Sequence, residues 1–379
     1  MKVIQTKNFF VNSENPPPNS ECRDVVISIP QGVISCAQNE HIRVSLGAFS
    51  MRQSFYTINK YNNVFYLVVF NKNTLTISSA KITIPEGNYQ AFDPQLTQVL
   101  DVATNQAFVD LGFTGGTALT TPPKWNYNIL TGKLQLIVTT AGAGAQTLAN
   151  MKLVSFTIKD YNAGSGSVIQ QIIGSDTLSA FQDSHEILGG CRETRNVVTG
   201  ADTEAEFDNL KSLFVVSRTG AAYPSNPTTF DLQGYYQASL GTKENLYLRT
   251  DLQSNNVQTS GFDTGSSGYP FVVNSQILAK IPFGNQPSSF VKDTSPATGT
   301  PPVGGTIGYF YQSGYNLINY IDNGNNLYSM RLSSKNITSL RLTLTDGLGR
   351  LIPEESKEQI ECNALYFTAT IRIDIMVDE

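Results

Sequence analysis

Near the end of the chain, Leu365, Phe367, Ala369, Ile371, Ile373 and Ile375 alternate with Tyr366, Thr368, Thr370, Arg372 and Asp374. A two-residue period places all the apolar side chains of such a stretch on one face and the polar ones on the other. A strand with one dry and one wet face belongs in an antiparallel sheet, and a second sheet packed on the dry side is the simplest cover. The same grammar recurs upstream. Val25, Ile27 and Ile29 alternate up to Pro30, and Ile42, Val44, Leu46 and Ala48 alternate against Arg43, Ser45 and Gly47. Leu246 and Leu248, Ile277 to Ile281 before Pro282, and Leu340, Leu342 and Leu344 before the turn Asp346-Gly347-Leu348-Gly349 follow suit. Val64 to Phe70 is apolar throughout, as expected of a strand covered on both faces.

The pattern breaks in the middle. Ile82 and Ile84 close a strand at Pro85, Glu86-Gly87-Asn88 supplies a turn, and Asp93-Pro94 reads as an N-cap followed by the first helical position. Leu96, Val99, Leu100 and Ala103 come next at helical spacing and are expected to face a core. Further on, Leu134, Leu136 and Val138 form a strand, AGAGA (Ala141–Ala145) interrupts, and Leu153 to Ile158 forms another. Thr177 to Phe181 reads as a short helix. Thr203-Glu204-Ala205-Glu206 reads as a capping box ahead of Phe207, Leu210 and Phe214. Strands at both ends and a mixed middle predict a mainly β protein: a single eight-stranded antiparallel jelly-roll sandwich interrupted by an α+β insertion. The expected boundaries are an extended N-terminal arm over 1–20 carrying Pro16-Pro17-Pro18, a first part of the roll over 21–85, the insertion over 86–232, and the second part over 233–379.

Composition narrows the function. Charged residues make up 15% of 379, and the net charge is −5. Low charge with many hydroxyl and amide side chains suits a β protein whose surface meets other protein surfaces, while 20 Phe and 17 Tyr argue against disorder. No basic cluster offers a footprint for nucleic acid or anionic membrane. The first twenty residues lack the apolar core of a signal peptide, and no apolar run is long enough to span a bilayer. Cys22, Cys36, Cys191 and Cys362 lack paired spacing and read as small buried hydrophobes rather than a disulfide frame.

Chemistry-bearing constellations are scarce. Only His41 and His185 are present. His41 opens an alternating strand and reads as a solvent-facing imidazole. Ser184-His185-Glu186 are adjacent, and neighbours on a backbone cannot form a hydrolytic triad among themselves. Asp202, Glu204, Glu206 and Asp208, like Glu354, Glu355 and Glu358, read as the acidic first turns of helices rather than metal ligands. Trp125 reads as a packing residue. No catalytic, cofactor or metal residue is therefore assigned, and a structural or binding protein is expected rather than an enzyme.

Three segments carry a resemblance: Ile82-Thr83-Ile84-Pro85-Glu86-Gly87-Asn88-Tyr89 with its helix, Ile277-Leu278-Ala279-Lys280-Ile281-Pro282, and the tail from Ile337 through Asp346-Gly347-Leu348-Gly349-Arg350 to Ile375. Together they resemble the vertex (penton) capsid proteins of virophages and their Polinton-like relatives. The resemblance implies a structural capsid protein of an icosahedral double-stranded DNA virus or virophage. It implies one jelly roll in the shell, a homopentamer at each vertex beside the major capsid protein, and an inserted domain projecting towards a host receptor or a fibre. Its expected location is the virion, assembled inside the host cell. Other readings of the residues are a β-sandwich module binding a receptor or sugar, and a minor double-jelly-roll capsid protein; the helical signals in the middle count against the second.

Overall fold

The computed structural model describes residues 2–14, 16, 21–52, 55, 57–87, 89, 94–140, 148–155, 184–191, 207, 210, 212–220, 227–239, 245–252, 258–262, 270–274, 276–282, 290–292, 309–311, 317–322, 329–347, 349–352 and 365–377. In chain order the strands are β1 (Lys2–Asn12), β2 (Asp24–Ser28), β3 (Glu40–Arg52), β4 (Val64–Asn71) and β5 (Thr76–Thr83), followed by helix α1 (Pro94–Asp110). Next come β6 (Lys124–Asn128), β7 (Lys133–Thr139), β8 (Leu148–Val154), the short helix α2 (His185–Leu188), β9 (Phe214–Gly220) and β10 (Pro227–Gly234). The remainder is β11 (Asn245–Thr250), β12 (Gln258–Phe262), β13 (Pro270–Asn274), β14 (Ile277–Pro282), β15 (Phe290–Lys292), β16 (Tyr309–Tyr311), β17 (Leu317–Ile321), β18 (Ser329–Arg331), β19 (Ser339–Thr345) and β20 (Phe367–Val377). The protein is mainly β, and among the described residues every strand pairing is antiparallel.

Two compact units divide the chain: Met1–Phe55 with Thr242–Glu379, and Tyr56–Gly241. The first is a β-sandwich. One sheet has the order β1-β20-β3-β17, with β18 also on β3; the other has the order β14-β11-β19-β2. Ile42, Val44, Phe367, Ile371 and Ile373 from one sheet share a buried core with Leu246, Leu248, Ile281, Leu342 and Leu344 from the other. The alternation at 365–375 thus does what its period demands: one face enters this core while Thr368, Thr370 and Arg372 look outward. Two hairpins, β12 with β13 and β15 with β16, leave the sandwich path.

Alternation in β3 is not continuous. Thr370 pairs with Ala48 and Ile371 with Leu46, so Gly47 is an extra residue in its strand. This bulge shifts the phase, and the buried set changes from Ile42, Val44 and Leu46 to Phe49 and Met51. Ala48, expected on the apolar face, is only half-buried. A Cβ at Gly47 would lie 3.4 Å from the Thr370 carbonyl oxygen, an ordinary contact, so the bulge does not itself require glycine.

The second unit contains a three-stranded sheet, β5-β4-β8, and a four-stranded sheet, β6-β7-β10-β9. Leu96 and Leu100 of α1 are fully buried in its core, with Val99 and Ala103 packed against it, as their spacing predicts. Trp125 lies at the centre. Its ring meets Phe65 and Phe214 edge-on, and its indole N–H donates to Thr104 Oγ1 at 2.9 Å. β4 is buried on both faces. Phe65, Leu67 and Val69 enter the main core, while Tyr66, Val68 and Phe70 meet Phe207 and Leu210. Lys152 on β8 holds that second cover, donating to the carbonyls of Phe207 and Leu210 at 2.6 Å each.

Several sequence expectations change here. Residues 1–20 do not form only an arm: Lys2–Asn12 is a strand paired along β20. Residues 56–85 leave the sandwich, because β4 pairs with β5 on one side and with β8 on the other, inside the second unit. That unit also runs past 232, since Gly234 still pairs with Phe214. β8 begins at Leu148, ahead of the predicted Leu153, and Phe214 opens a strand rather than continuing a helix. Asp93, Thr177–Phe181, the capping box at 203–206, AGAGA, both acidic runs and Cys362 lie outside the described residues.

Candidate interaction surface

The outward face of the β1-β20-β3-β17 sheet is built around a buried acid. Asp374, 1% exposed at its side chain, accepts hydrogen bonds from Thr6 Oγ1 on β1 (2.7 Å), Arg43 Nη2 on β3 (2.6 Å) and Arg372 Nε on its own strand (3.0 Å). Register explains the convergence, because Asp374 stands opposite Thr6 on one side and Arg43 on the other. Burial pushes the carboxyl pKa up, but the hydrogen bonds from Arg43, Thr6 and Arg372 and the Arg372 charge outweigh it and hold the pKa below the ordinary value. Hence three strands are tied by one carboxylate.

Both edges of this sheet expose apolar side chains. On β1, Phe10 is 83% exposed and Ile4 53%; on β17, Ile321 is 71% exposed and Leu317 59%. Phe10 is opposite Thr370, and Leu317 and Ile321 are opposite Arg52 and Ala48, so these three side chains share the outward face. Lys7, a residue type that often guards a free edge, instead donates to the Val33 carbonyl. The surface thus has a hydroxyl- and charge-bearing centre with apolar margins on its two edge strands.

The opposite sheet has a smaller polar cluster on its β2 edge. Asp24 accepts from Arg341 Nε at 2.8 Å and from Arg341 Nη2, and from Thr343 Oγ1 at 2.9 Å. The Arg341 hydrogen bonds, against the effect of burial and with help from Thr343, hold its pKa below the ordinary value. At the neighbouring turn, Asp346 accepts from the Arg350 backbone N–H at 3.0 Å and from Arg350 Nε at 2.8 Å, closing the turn predicted from Asp346 to Gly349.

The chemistry-bearing residues are dispersed. His41 is buried rather than solvent-facing, because β3 is an inner strand flanked by β20 on one side and β17 and β18 on the other. His185 opens α2 with its Nε2 4.0 Å from Glu186 Oε1, and the buried Ser184 hydroxyl makes no hydrogen bond, so these three do not assemble a triad. Cys22, Cys36 and Cys191 are half-buried rather than fully buried. Among the described residues, no three His, Cys, Asp or Glu side chains gather as a metal site. No helix among them is long and apolar enough to cross a membrane. Sequence reasoning missed the Asp374 cluster, although Arg372 and Asp374 were placed on the polar face; only the register with β1 and β3 brings Thr6 and Arg43 to them.

No family model matches the sequence, and no curated protein matches it. Solved structures do align along nearly its whole length. The mavirus penton protein is 9% identical, with a TM-score of 0.39 over 98% of this chain and 99% of that one. A chain of the Sputnik virophage structure is 13% identical, with a TM-score of 0.35 over 98% and 97%.

Proposed function

We propose that the chain is a structural subunit of a protein shell, built on a single jelly roll. More narrowly, we read it as the vertex subunit of an icosahedral virus or virophage capsid. Support for the first step comes from strand order. With β17 and β18 counted as one position, the described residues of the sandwich give eight, in chain order β1, β2, β3, β11, β14, β17/β18, β19 and β20. Early and late strands interleave in each sheet, as first-eighth-third-sixth in one and fifth-fourth-seventh-second in the other. Such wiring fits the double Greek key of a jelly roll, which occurs in viral capsids, lectins and cupins. Sequence resemblance at Ile82–Tyr89, Ile277–Pro282 and Ile337–Ile375 favours the capsid among these, and the number five rests on it.

The observation that carries the reading is the pair of apolar margins. A contact between the β1 edge of one copy and the β17 edge of the next is head-to-tail, and such contacts close into a ring when the rotation permits. Phe10, Leu317 and Ile321 then supply the charge-poor centre that protein interfaces favour. In this arrangement the sandwich meets the major capsid protein, and the second unit, Tyr56–Gly241, stands outward towards a host receptor or fibre. The test is incorporation. Phe10→Asp and Ile321→Asp chains are each co-expressed with the major capsid protein, and both are expected in the soluble fraction and absent from particles. Normal incorporation of both would refute the edge-to-edge contact.

A further inference from the structure

We propose that a cleft in the second unit binds a neutral sugar. The cleft has a volume of about 350 Å³ and is lined by His185, Glu186, Cys191, Tyr236, Gln237 and Ser239, with Gly189 and Gly190 between them. That volume is at the small end for ligand sites, which start near ~300 Å³, and suits a mono- or disaccharide. Its walls are preformed. The Tyr236 N–H donates to the Gly189 carbonyl at 2.9 Å, and the Ser239 N–H donates to the Glu186 carbonyl at 3.0 Å. Gly189 has φ +71°, and a Cβ there would lie 2.4 Å from the Tyr236 carbonyl oxygen, so only glycine lets the two wall segments meet this closely.

The lining selects the ligand class. Among the described residues no Lys or Arg lines the cleft; the Glu186 side chain is 78% exposed there, with the His185 imidazole 4.0 Å away, so phosphate, sulfate and sialylated sugars meet an acid without a fixed counter-charge. Carboxylate, amide and hydroxyl groups together accept from and donate to sugar hydroxyls. Tyr236 is 62% exposed and Tyr235 lies beside it, with ring centroids 6.5 Å apart. The negative face of an aromatic ring suits the C–H face of a pyranose, whose hydrogens carry partial positive charge. An exposed aromatic ring beside an acid, an amide and a hydroxyl, with no Lys or Arg among the described lining residues, fits an uncharged polyhydroxylated ligand better than an anionic one.

The inference concerns the second unit alone and does not need the shell assignment, so the full chain is tested in solution, where ring formation plays no part. Saturation-transfer NMR and titration use the methyl glycosides of glucose, galactose, mannose and N-acetylglucosamine, with lactose, 3′-sialyllactose and inorganic phosphate for comparison. At least one neutral glycoside is expected to bind saturably, and sialyllactose more weakly than lactose. Tyr236→Ala is expected to weaken binding about tenfold, the order of one aromatic contact. Tyr236→Phe should retain the affinity and Glu186→Gln reduce it, and thermal melts should show all three variants folded. Absence of binding to every neutral sugar, a preference for sialyllactose or phosphate, or affinity unchanged in Tyr236→Ala would each overturn the proposal.

Discussion

Asp374→Ala is the substitution that most directly tests how the outward face of the sandwich is held. The native carboxylate is buried and accepts three side-chain hydrogen bonds. Arg43 is 20% exposed at its side chain, so removing the acid strands a largely buried guanidinium; breaking such a pair costs about 3–5 kcal/mol. Arg372 is 36% exposed and its charge is screened, so its share is within about 0–1 kcal/mol. Thr6 loses a hydrogen bond worth about 1 kcal/mol. The expected total is about 4–7 kcal/mol, and Asp374→Ala combined with Arg43→Ala should recover part of it, because the largely buried guanidinium is then no longer left unpaired. Two units in one chain make a single unfolding midpoint ambiguous, so the assay is hydrogen exchange read on peptides from 2–12 and 367–377. Faster exchange should be confined to the sandwich, with α1 unchanged. A loss below about 1 kcal/mol, or no recovery in the double variant, would refute the view that Asp374 ties β1 to β20 and β3.

Acid should act through the same groups. Asp24 and Asp374 both have pKa values below the ordinary 3.8, so their stabilisation is present above that value and is lost as pH falls through the folded pKa. Protection of β1 and β19 amides should therefore hold at neutral pH and collapse below about pH 4, and Asp374→Asn should flatten part of that loss. In the second unit, Leu100→Ala removes a fully buried side chain and should cost about 2–5 kcal/mol by exchange on α1 peptides. Trp125→Phe should cost about 1–3 kcal/mol, since it leaves buried Thr104 without its indole donor, and the loss should appear in α1 and β6 together.

Strands with one wet and one dry face were legible because their period is local. β19, β11 and β20 follow directly from Leu340–Leu344, Leu246–Leu248 and Leu365–Ile375. β1 was not legible. Its inward positions include Gln5 and Lys7 as well as Phe9 and Val11, and its register shifts between Val3 and Gln5, so the alternation an edge strand needs is diluted. The burial of β4 on both faces could be read from Val64–Phe70, but not the unit to which it belongs. That depends on pairing Tyr66 with Val154, far away in sequence, which no local period records. The bulge at Gly47 was hidden for the same reason, since only its partner strand shows which residue is extra. Both candidate surfaces arise from such distant pairings: Thr6 reaches Asp374 across 368 positions, and α2 meets Tyr236–Ser239 through backbone hydrogen bonds.

A cryo-EM reconstruction of the particle carrying this chain tests the central claim most directly. Five copies are expected around each five-fold axis, the β1 edge of one against the β17 edge of the next, with Phe10 and Ile321 buried between them and the second unit facing outward. Density for the chain away from the five-fold axes, or for the second unit on the inner, genome-facing side, would contradict it.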